Sequence, residues 1–488
     1  MEQFDRNLLV QKRGIFLKSG IFFNDIETNF HAKSAPAKEK ILQFGEGNFL
    51  RAFVDYFIDI LVEKALFNGS IVVIQPIKNG QTDVLNAQQG CYTVITRGLD
   101  KSAPVVEKRI VTSISRGINP YIEFDTYLEI AKNPHIRFII SNTTEAGISF
   151  LETDKPTDTP PVSFPAKVVI FLYERYKYFN GDTSRGFIFI PCELIDNNGN
   201  KLKEVILQYA RHWKLDSGFA KWIEEANYFT NTLVDRIVPG YPKDETDTLT
   251  QELGYEDKLL TVAEPFHFFA IEATGDAAKE LSHTLPFNEA GLNALVTDDV
   301  TPYKIRKVRI LNGAHTMSAL AALLCGMQTV SEMVSCPLFS AFIKKGIYDE
   351  ILPSLDDAAK SFADSVFDRF ANPFIKHYLK DISLNSVSKF KARVLPSILD
   401  YYSKKNEPPE ILTLSFAALI TFYKKGMGTD SDEILAFFKS QPDAESICAK
   451  VDYWGVNLNE LTGFKIKLSK YLEEIDKNGM EAVIKCSL

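Results

Sequence analysis

Apolar and polar positions follow two regimes along this chain. Up to about residue 298, short apolar runs alternate with stretches in which apolar residues recur every three or four positions. Lys40-Ile41-Leu42-Gln43-Phe44 reads as a short buried strand. A glycine turn, Gly45-Glu46-Gly47-Asn48-Phe49, follows, and then Phe53, Phe57, Ile60 and Leu61 mark one face of a helix. Ser70 to Ile74 is a β-branched strand, and Tyr92 to Thr96 and Glu107 to Thr112 add β-like runs. A helix over Phe124 to Lys132 leads into the apolar strand His135 to Ile140. Thr153 to Pro165 is a Pro- and Thr-rich loop, Val168 to Tyr178 a helix, and Gly186 to Ile190 a strand. Strands alternating with helices predict an α/β fold with a mostly parallel sheet covered on both faces.

Beyond Pro302 the spacing turns almost wholly helical: Val308–Met327, Ile347–Phe370, Phe374–Leu379, Lys391–Ser403, Leu412–Lys425, Asp432–Phe438, Ala444–Ala449 and Leu458–Ile475. The expected organisation is an α/β dinucleotide-binding domain over residues 1–298, with residues 1–38 an extension packed on it, and an all-α domain over 299–488. The stretch Asp216 to Pro286 carries Pro, Gly and acidic turns and gives no clear reading.

Composition narrows the function classes. Of 488 residues, 45% are hydrophobic and 24% charged, the profile of a globular protein. A net charge of −8 gives no overall attraction to nucleic acid or anionic membrane. The six cysteines contain no CxxC, so free thiols in a reducing cytoplasm are expected. The N-terminus lacks the apolar core of a signal peptide, and no apolar run reaches the ~20 residues of a membrane span. Neither HExxH nor a His/Cys cluster at ligand spacing is present, so no metal site is expected.

The glycine turn sits where a dinucleotide-binding loop belongs. Gly45 permits a tight turn, Gly47 lets the backbone approach a phosphate, and the following helix start offers N–H donors. Leu50 stands where a third glycine would fall. Glu46, Asn48, Phe49 and Arg51 complete the candidate loop, with Arg51 able to add charge or simply to be a surface residue. The second strand ends Ile74-Gln75-Pro76-Ile77-Lys78, without the acid that usually takes the ribose hydroxyls. Gln75 could bond a ribose and Lys78 could attract a 2′-phosphate. Asn142, Thr143 and Glu145 follow another strand and could line the same crevice; the alternative is a helix cap. Glu193 and Asp196 follow the strand ending at Ile190 and could reach a substrate or cap a turn.

Lys307, Asn312 and His315 form the sharpest constellation. On an α-helix, at about 100° per residue, Asn312 lies roughly 140° and His315 roughly 80° around from Lys307. All three fit one broad face. Lys can move a hydroxyl proton once neighbouring cations lower its pKa, and Lys304, Arg306 and Arg309 are the candidates. An Asn amide can stabilise an alkoxide. A basic helix start with a core histidine is the plainer reading of the same residues. Lys389, Lys391 and Arg393 form a basic cluster able to hold an anion, or a solvated face.

The runs Phe44 to Phe53, Ser141-Asn142-Thr143-Thr144-Glu145-Ala146-Gly147 and Lys307…Asn312…His315, in this order, resemble the mannitol dehydrogenase family of polyol-specific long-chain dehydrogenases, from about residue 38 to the C-terminus. Pro191 to Asp196, Glu264-Pro265-Phe266-His267 and Ser383 to Lys391 are similar to its hexuronate-reducing branch. The resemblance implies a Rossmann-like first domain, a helical second domain, an active site in the cleft and a metal-independent reaction with NAD. It implies Lys307 as general acid/base, Asn312 as the group that polarises the carbonyl and His315 as a substrate-orienting group. The implied substrate is a small sugar acid, the keto-hexuronate D-tagaturonate, reduced to D-altronate, with Glu193 and Lys389 as candidate substrate contacts. Leu194 stands where mannitol and fructuronate enzymes carry an Asn, which argues against those within-family alternatives. An S-adenosylmethionine-dependent methyltransferase or a non-catalytic nucleotide sensor would also use the glycine turn, but neither needs Lys307.

Overall fold

The computed structural model describes residues 21–23 and 38–488, apart from residues 145 and 376. The expected extension over 1–38 thus lies almost wholly outside the described residues, as does Glu145. The described residues divide into two compact units, one running up to Arg97 together with 105–300, the other 98–104 together with 301–488.

The first unit is built on a six-stranded sheet: β1 (Glu39–Phe44), β2 (Ser70–Ile74), β3 (Ile114–Ile118), β4 (Phe138–Ser141), β5 (Ile188–Pro191) and β6 (Tyr228–Phe229). All its pairings are parallel, and the strand order is 3-2-1-4-5-6. That is the doubly wound Rossmann order, with its topological switch point between β1 and β4. Alternation along the strands feeds two cores. Ile41, Phe138, Ile140, Ile188 and Ile190 pack with Phe53 and Phe57 of the helix side behind the glycine turn. Leu42, Phe44, Ile139 and Phe189 pack on the opposite face with Phe171, Leu172 and Ile206. The helix Phe164–Tyr178 that covers this second face starts where Ser163 accepts the Ala166 N–H and Pro165 occupies the first turn.

The region from 216 to 286, unreadable in the sequence, supplies strands as well as helices. Thr261–Ala263 pairs parallel with Tyr92–Asp100 in a four-stranded sheet. Asn231–Asp235 pairs antiparallel with Phe268–Glu272, which pairs parallel with Ala294–Thr297.

In the second unit, helices surround one continuous apolar cluster. At its centre lies Glu410–Lys424, buried on nearly every side. Its first N–H groups, at Ile411 and Leu412, donate to both carboxylate oxygens of buried Glu350. Two helical expectations are corrected. Residues 347–370 are not one helix: the segment is π-helical over Gly346–Ile351, turns at Leu352–Ser354 around Pro353, and resumes as Ala359–Phe370. The described residues between Phe374 and Tyr378 are not helical. Asn372 Oδ1 turns the chain by accepting the Phe374 N–H, Tyr378 bridges to Thr329, and a helix starts only at Leu379. Among the described residues, no helix is long and apolar enough to cross a membrane.

Candidate active site

Each unit carries one cluster of the sequence-selected residues. In the first unit the glycine turn lies at the carboxyl end of β1, at the switch point. Gly45 has a φ of +117°, and a Cβ there would sit 3.2 Å from the Asn142 carbonyl oxygen at the end of β4. Only glycine meets both demands without strain. A Cβ on Gly47, in contrast, would meet nothing within 4 Å. The turn therefore presents bare backbone to open space just before the helix Asn48–Arg51, whose first N–H groups have no intrahelical partners. These residues fit the phosphate of a dinucleotide.

The charged and amide side chains around this turn have other duties than those expected of them. The Arg51 guanidinium, expected to add charge at a phosphate, turns inward: it donates to the Glu46 carbonyl, Gln81 Oε1 (3.1 Å), Asn48 Oδ1 (2.6 Å) and Thr261 Oγ1 (3.3 Å). It braces the loop from behind. Glu46 is buried, accepts the Gln81 N–H at 3.1 Å, and burial raises its carboxyl pKa. Gln75 is likewise committed. Its amide donates to the carbonyls of Ile77 and Lys78, and its oxygen accepts from Thr82 Oγ1 (2.7 Å). Gln75 shapes the loop after β2 and has little left for a ribose.

Glu193 is also revised, from substrate contact to scaffold. It is buried beneath the β4 end, accepting from Ser141 Oγ (3.1 Å), Thr143 N (3.0 Å) and Thr143 Oγ1 (3.2 Å). Burial raises its pKa, and the Thr143 N–H opposes that rise. Asn142 donates to the Cys192 carbonyl at 2.6 Å, tying β4 to β5. Among the described residues no helix follows directly on Thr143, so the capping alternative falls away. Leu194 is exposed. Asn198, which no motif singled out, joins this scaffold by donating to the carbonyls of Pro191 and Glu193.

In the second unit, Lys307 and Asn312 are the first and last residues of a π-helical segment, Lys307–Asn312, set between the α-helices Thr301–Arg306 and Gly313–Leu324. An i→i+5 ladder has roughly 4.4 residues per turn, about 80° per residue. Asn312 then lies about 50° from Lys307, and His315, three α-helical steps on, falls almost in line with Lys307. The three side chains share a narrower face than a plain α-helix would give. Gly313 lets this segment pack closely: a Cβ there would be 3.2 Å from the Arg393 carbonyl.

Lys307 and Asn312 are half-buried. The Asn312 amide has no hydrogen-bond partner among the described residues. His315 is only 8% exposed, and its Nε2 is buried without a partner among the described residues. Its ring stacks on Phe370 at 4.2 Å and meets His377 edge-on at 4.9 Å. Burial, then His377, Arg369 and Arg393, hold its pKa well below the usual imidazole value, so the ring is neutral at pH 7. Two expected cations are spent on acids instead: Arg306 pairs with Asp356 at 2.6 Å and Arg309 with Asp400 at 3.1 Å. Lys389 is half-buried, and its Nζ donates to the Ile382 carbonyl at 3.0 Å. Among the described residues, no group of three or more His, Cys, Asp or Glu side chains is placed to hold a metal.

Comparison with known proteins decides the family. Residues 39–284 match the mannitol dehydrogenase Rossmann domain, and residues 299–474 the mannitol dehydrogenase C-terminal domain. The chain belongs to the mannitol dehydrogenase family. Membership makes it an oxidoreductase acting on CH–OH groups. It is 46% identical over 457 residues to the altronate oxidoreductase of Bacillus subtilis, covering 91% of this chain and 94% of that protein. The altronate oxidoreductase of Yersinia enterocolitica is 47% identical over 400 residues, covering 81% and 82%. Among solved structures, a D-sorbitol dehydrogenase superposes with a TM-score of 0.79 at 22% identity, over 99% of this chain and all of that one. A Pseudomonas fluorescens mannitol 2-dehydrogenase, in complex with NAD and D-mannitol, superposes with a TM-score of 0.69 at 21% identity, over 99% of each chain. Mannitol dehydrogenase family membership thus agrees with the 3-2-1-4-5-6 sheet and the helical second unit.

Proposed function

We propose that this protein interconverts D-tagaturonate and D-altronate with NAD(H), working physiologically as the reductase. The observation that carries the reading is the π-helical segment. It brings Lys307, the unpaired Asn312 amide and the unpaired His315 Nε2 to one face, in a chain similar over nearly its whole length to altronate oxidoreductases.

The dinucleotide supplies the hydride in reduction and accepts it in oxidation. The bare backbone at Gly45 and Gly47 would cradle its phosphates, with Arg51, Gln75, Asn142, Thr143 and Glu193 holding that backbone in place. In reduction, the Lys307 ammonium gives a proton to the carbonyl oxygen as the carbon gains hydride, forming the new C–OH. In oxidation, neutral Lys307 takes the hydroxyl proton back. The Asn312 N–H groups stabilise negative charge on that oxygen, a contribution worth a few kcal/mol in such sites. Neutral His315 offers Nε2 to a substrate hydroxyl without adding a competing positive charge beside Lys307.

The test is loss of NADH absorbance, with NADPH in parallel, against D-tagaturonate, D-fructuronate and D-fructose. Turnover of tagaturonate with NADH is expected. Lys307→Ala should lower turnover about 10²- to 10⁴-fold, the usual range for a positioned acid/base. Near wild-type turnover by Lys307→Ala would sink the mechanism, and turnover of fructuronate or fructose alone would displace the substrate.

A further inference from the structure

We propose that Arg393, seated on Thr316, binds the carboxylate of the sugar acid and thereby sets the preference for charged hexonates over neutral polyols. The proposal rests on the reaction assigned above.

Arg393 ends the helix Ser386–Arg393 and packs its carbonyl against Gly313. Its Nη1 donates to Thr316 Oγ1 at 3.4 Å, on the helix that carries His315. Among the described residues, no carboxylate pairs with this guanidinium. Arg109 pairs with Asp59 and Glu63, Arg306 with Asp356, and Arg309 with Asp400, while the buried Arg51, Arg175 and Arg236 each spend several N–H groups on neutral acceptors; Arg393 has Thr316 alone among the described residues. A half-buried guanidinium without a counter-anion is expensive unless an anion arrives. The neighbouring residue, His315, carries the unpaired Nε2, more than nine-tenths buried. Two packed helices thus offer a fork-shaped cation, held on Thr316, and a neutral hydroxyl partner at the adjacent His315.

The spacing suits a six-carbon acid. Asn312 and Thr316 are four residues apart, about 6 Å along the axis. That matches the reach from the reacting carbon C2 to the carboxylate at C6. A guanidinium takes a carboxylate with two parallel N–H donors, whereas a neutral hexitol offers it only hydroxyls. The assignment moves the carboxylate from Lys389, whose Nζ is engaged by the Ile382 carbonyl, to Arg393. Lys389 remains as supporting positive charge: burial and Arg393 both lower its pKa, which places the two cations near one another.

The experiment compares wild type, Arg393→Met and Arg393→Lys as full-length proteins, with D-tagaturonate and with D-tagatose, its counterpart bearing a CH₂OH at C6. For Arg393→Met, the ratio of kcat/KM values (tagaturonate over tagatose) should fall about ten- to a hundredfold, the scale of a charge-assisted bond. The loss should sit mainly in KM for tagaturonate, and Arg393→Lys should restore part of it. Equal losses on both sugars would mean a structural role and overturn the proposal. So would an unchanged ratio with tagaturonate still strongly preferred, which leaves the reaction standing. If wild type itself does not discriminate between the two sugars, both this proposal and the sugar-acid reading fall.

Discussion

Replacing Asp55 with asparagine should flatten the pH dependence of stability in the first unit. Asp55 is fully buried on the helix behind the glycine turn. Its Oδ2 accepts from Gln43 Nε2 (3.3 Å) and Tyr92 Oη (3.2 Å), and Gln43 Nε2 also reaches the Gly45 carbonyl. Its Oδ1 is buried without a partner among the described residues. Burial pushes the carboxyl from 3.8 up to about 7, against the opposing pull of Gln43, Tyr92 and Arg51. A raised folded-state pKa means the folded protein holds the proton more tightly than the unfolded chain. The associated stability is complete below the unfolded pKa of about 4 and is lost as pH climbs to about 7. About three pKa units correspond to about 4 kcal/mol. An asparagine at this position cannot ionise. Its unpartnered amide adds a constant cost of about 1–3 kcal/mol, but no slope. Urea denaturation of both proteins from about pH 4 to pH 8 at fixed ionic strength isolates the effect as the difference between the two curves. The wild type should lose about 4 kcal/mol relative to the variant across that window. A difference independent of pH would show that Asp55 titrates normally and that its burial is relieved in some other way.

Two glycines give opposite expectations. Gly47 has ordinary extended angles (φ −69°, ψ 163°) and open space where a side chain would point, so Gly47→Val should melt within about 0.5 kcal/mol of wild type. It should nevertheless weaken NADH binding at least about tenfold by blocking the phosphate approach, as titrated by protein fluorescence; unchanged affinity would remove the phosphate from this turn. Gly313→Val, by contrast, must force the Arg393 backbone away, destabilising by about 1–3 kcal/mol and raising KM for the sugar acid. Calorimetry and steady-state kinetics read the two effects, and an intact KM would separate Gly313 from the substrate-binding helix pair.

Much of the first sheet was legible because β1, β2, β4 and β5 are near-continuous apolar runs, the mark of strands buried on both faces. Asn231–Asp235 and Thr261–Ala263 were not, because Asn231, Thr232 and Asp235 leave only two apolar residues in the first and the second is three residues long. The glycine turn was legible because a missing side chain is itself the signal. Arg51, Gln75 and Glu193 looked like ligand contacts because a polar residue near a strand end advertises hydrogen-bonding capacity. The sequence does not say which neighbour consumes it, and here the protein does. Arg393 stood out only as one charge among three; its unmatched state emerges once Asp356 and Asp400 are seen to pair with other arginines. The π-helical segment was invisible because its apolar spacing blends into the α-helical pattern on either side.

That segment makes the winding of the chain between Lys307 and Asn312 as consequential as the identity of its residues. A π turn holds one residue more than an α turn would. Deleting a single residue among 308–311 would let the helix heal into a regular α-helix and still leave Lys307 within about 40° of Asn312 and about 20° of His315. Winding the same residues into an α-helix without a deletion would instead swing everything before them, Lys307 included, by about 90° around the axis. Such a protein would fold with its proton donor turned away from Asn312 and His315. The extra residue and the π turn that absorbs it therefore act as a pair: the turn takes up the residue and keeps the donor in register with the groups beyond it.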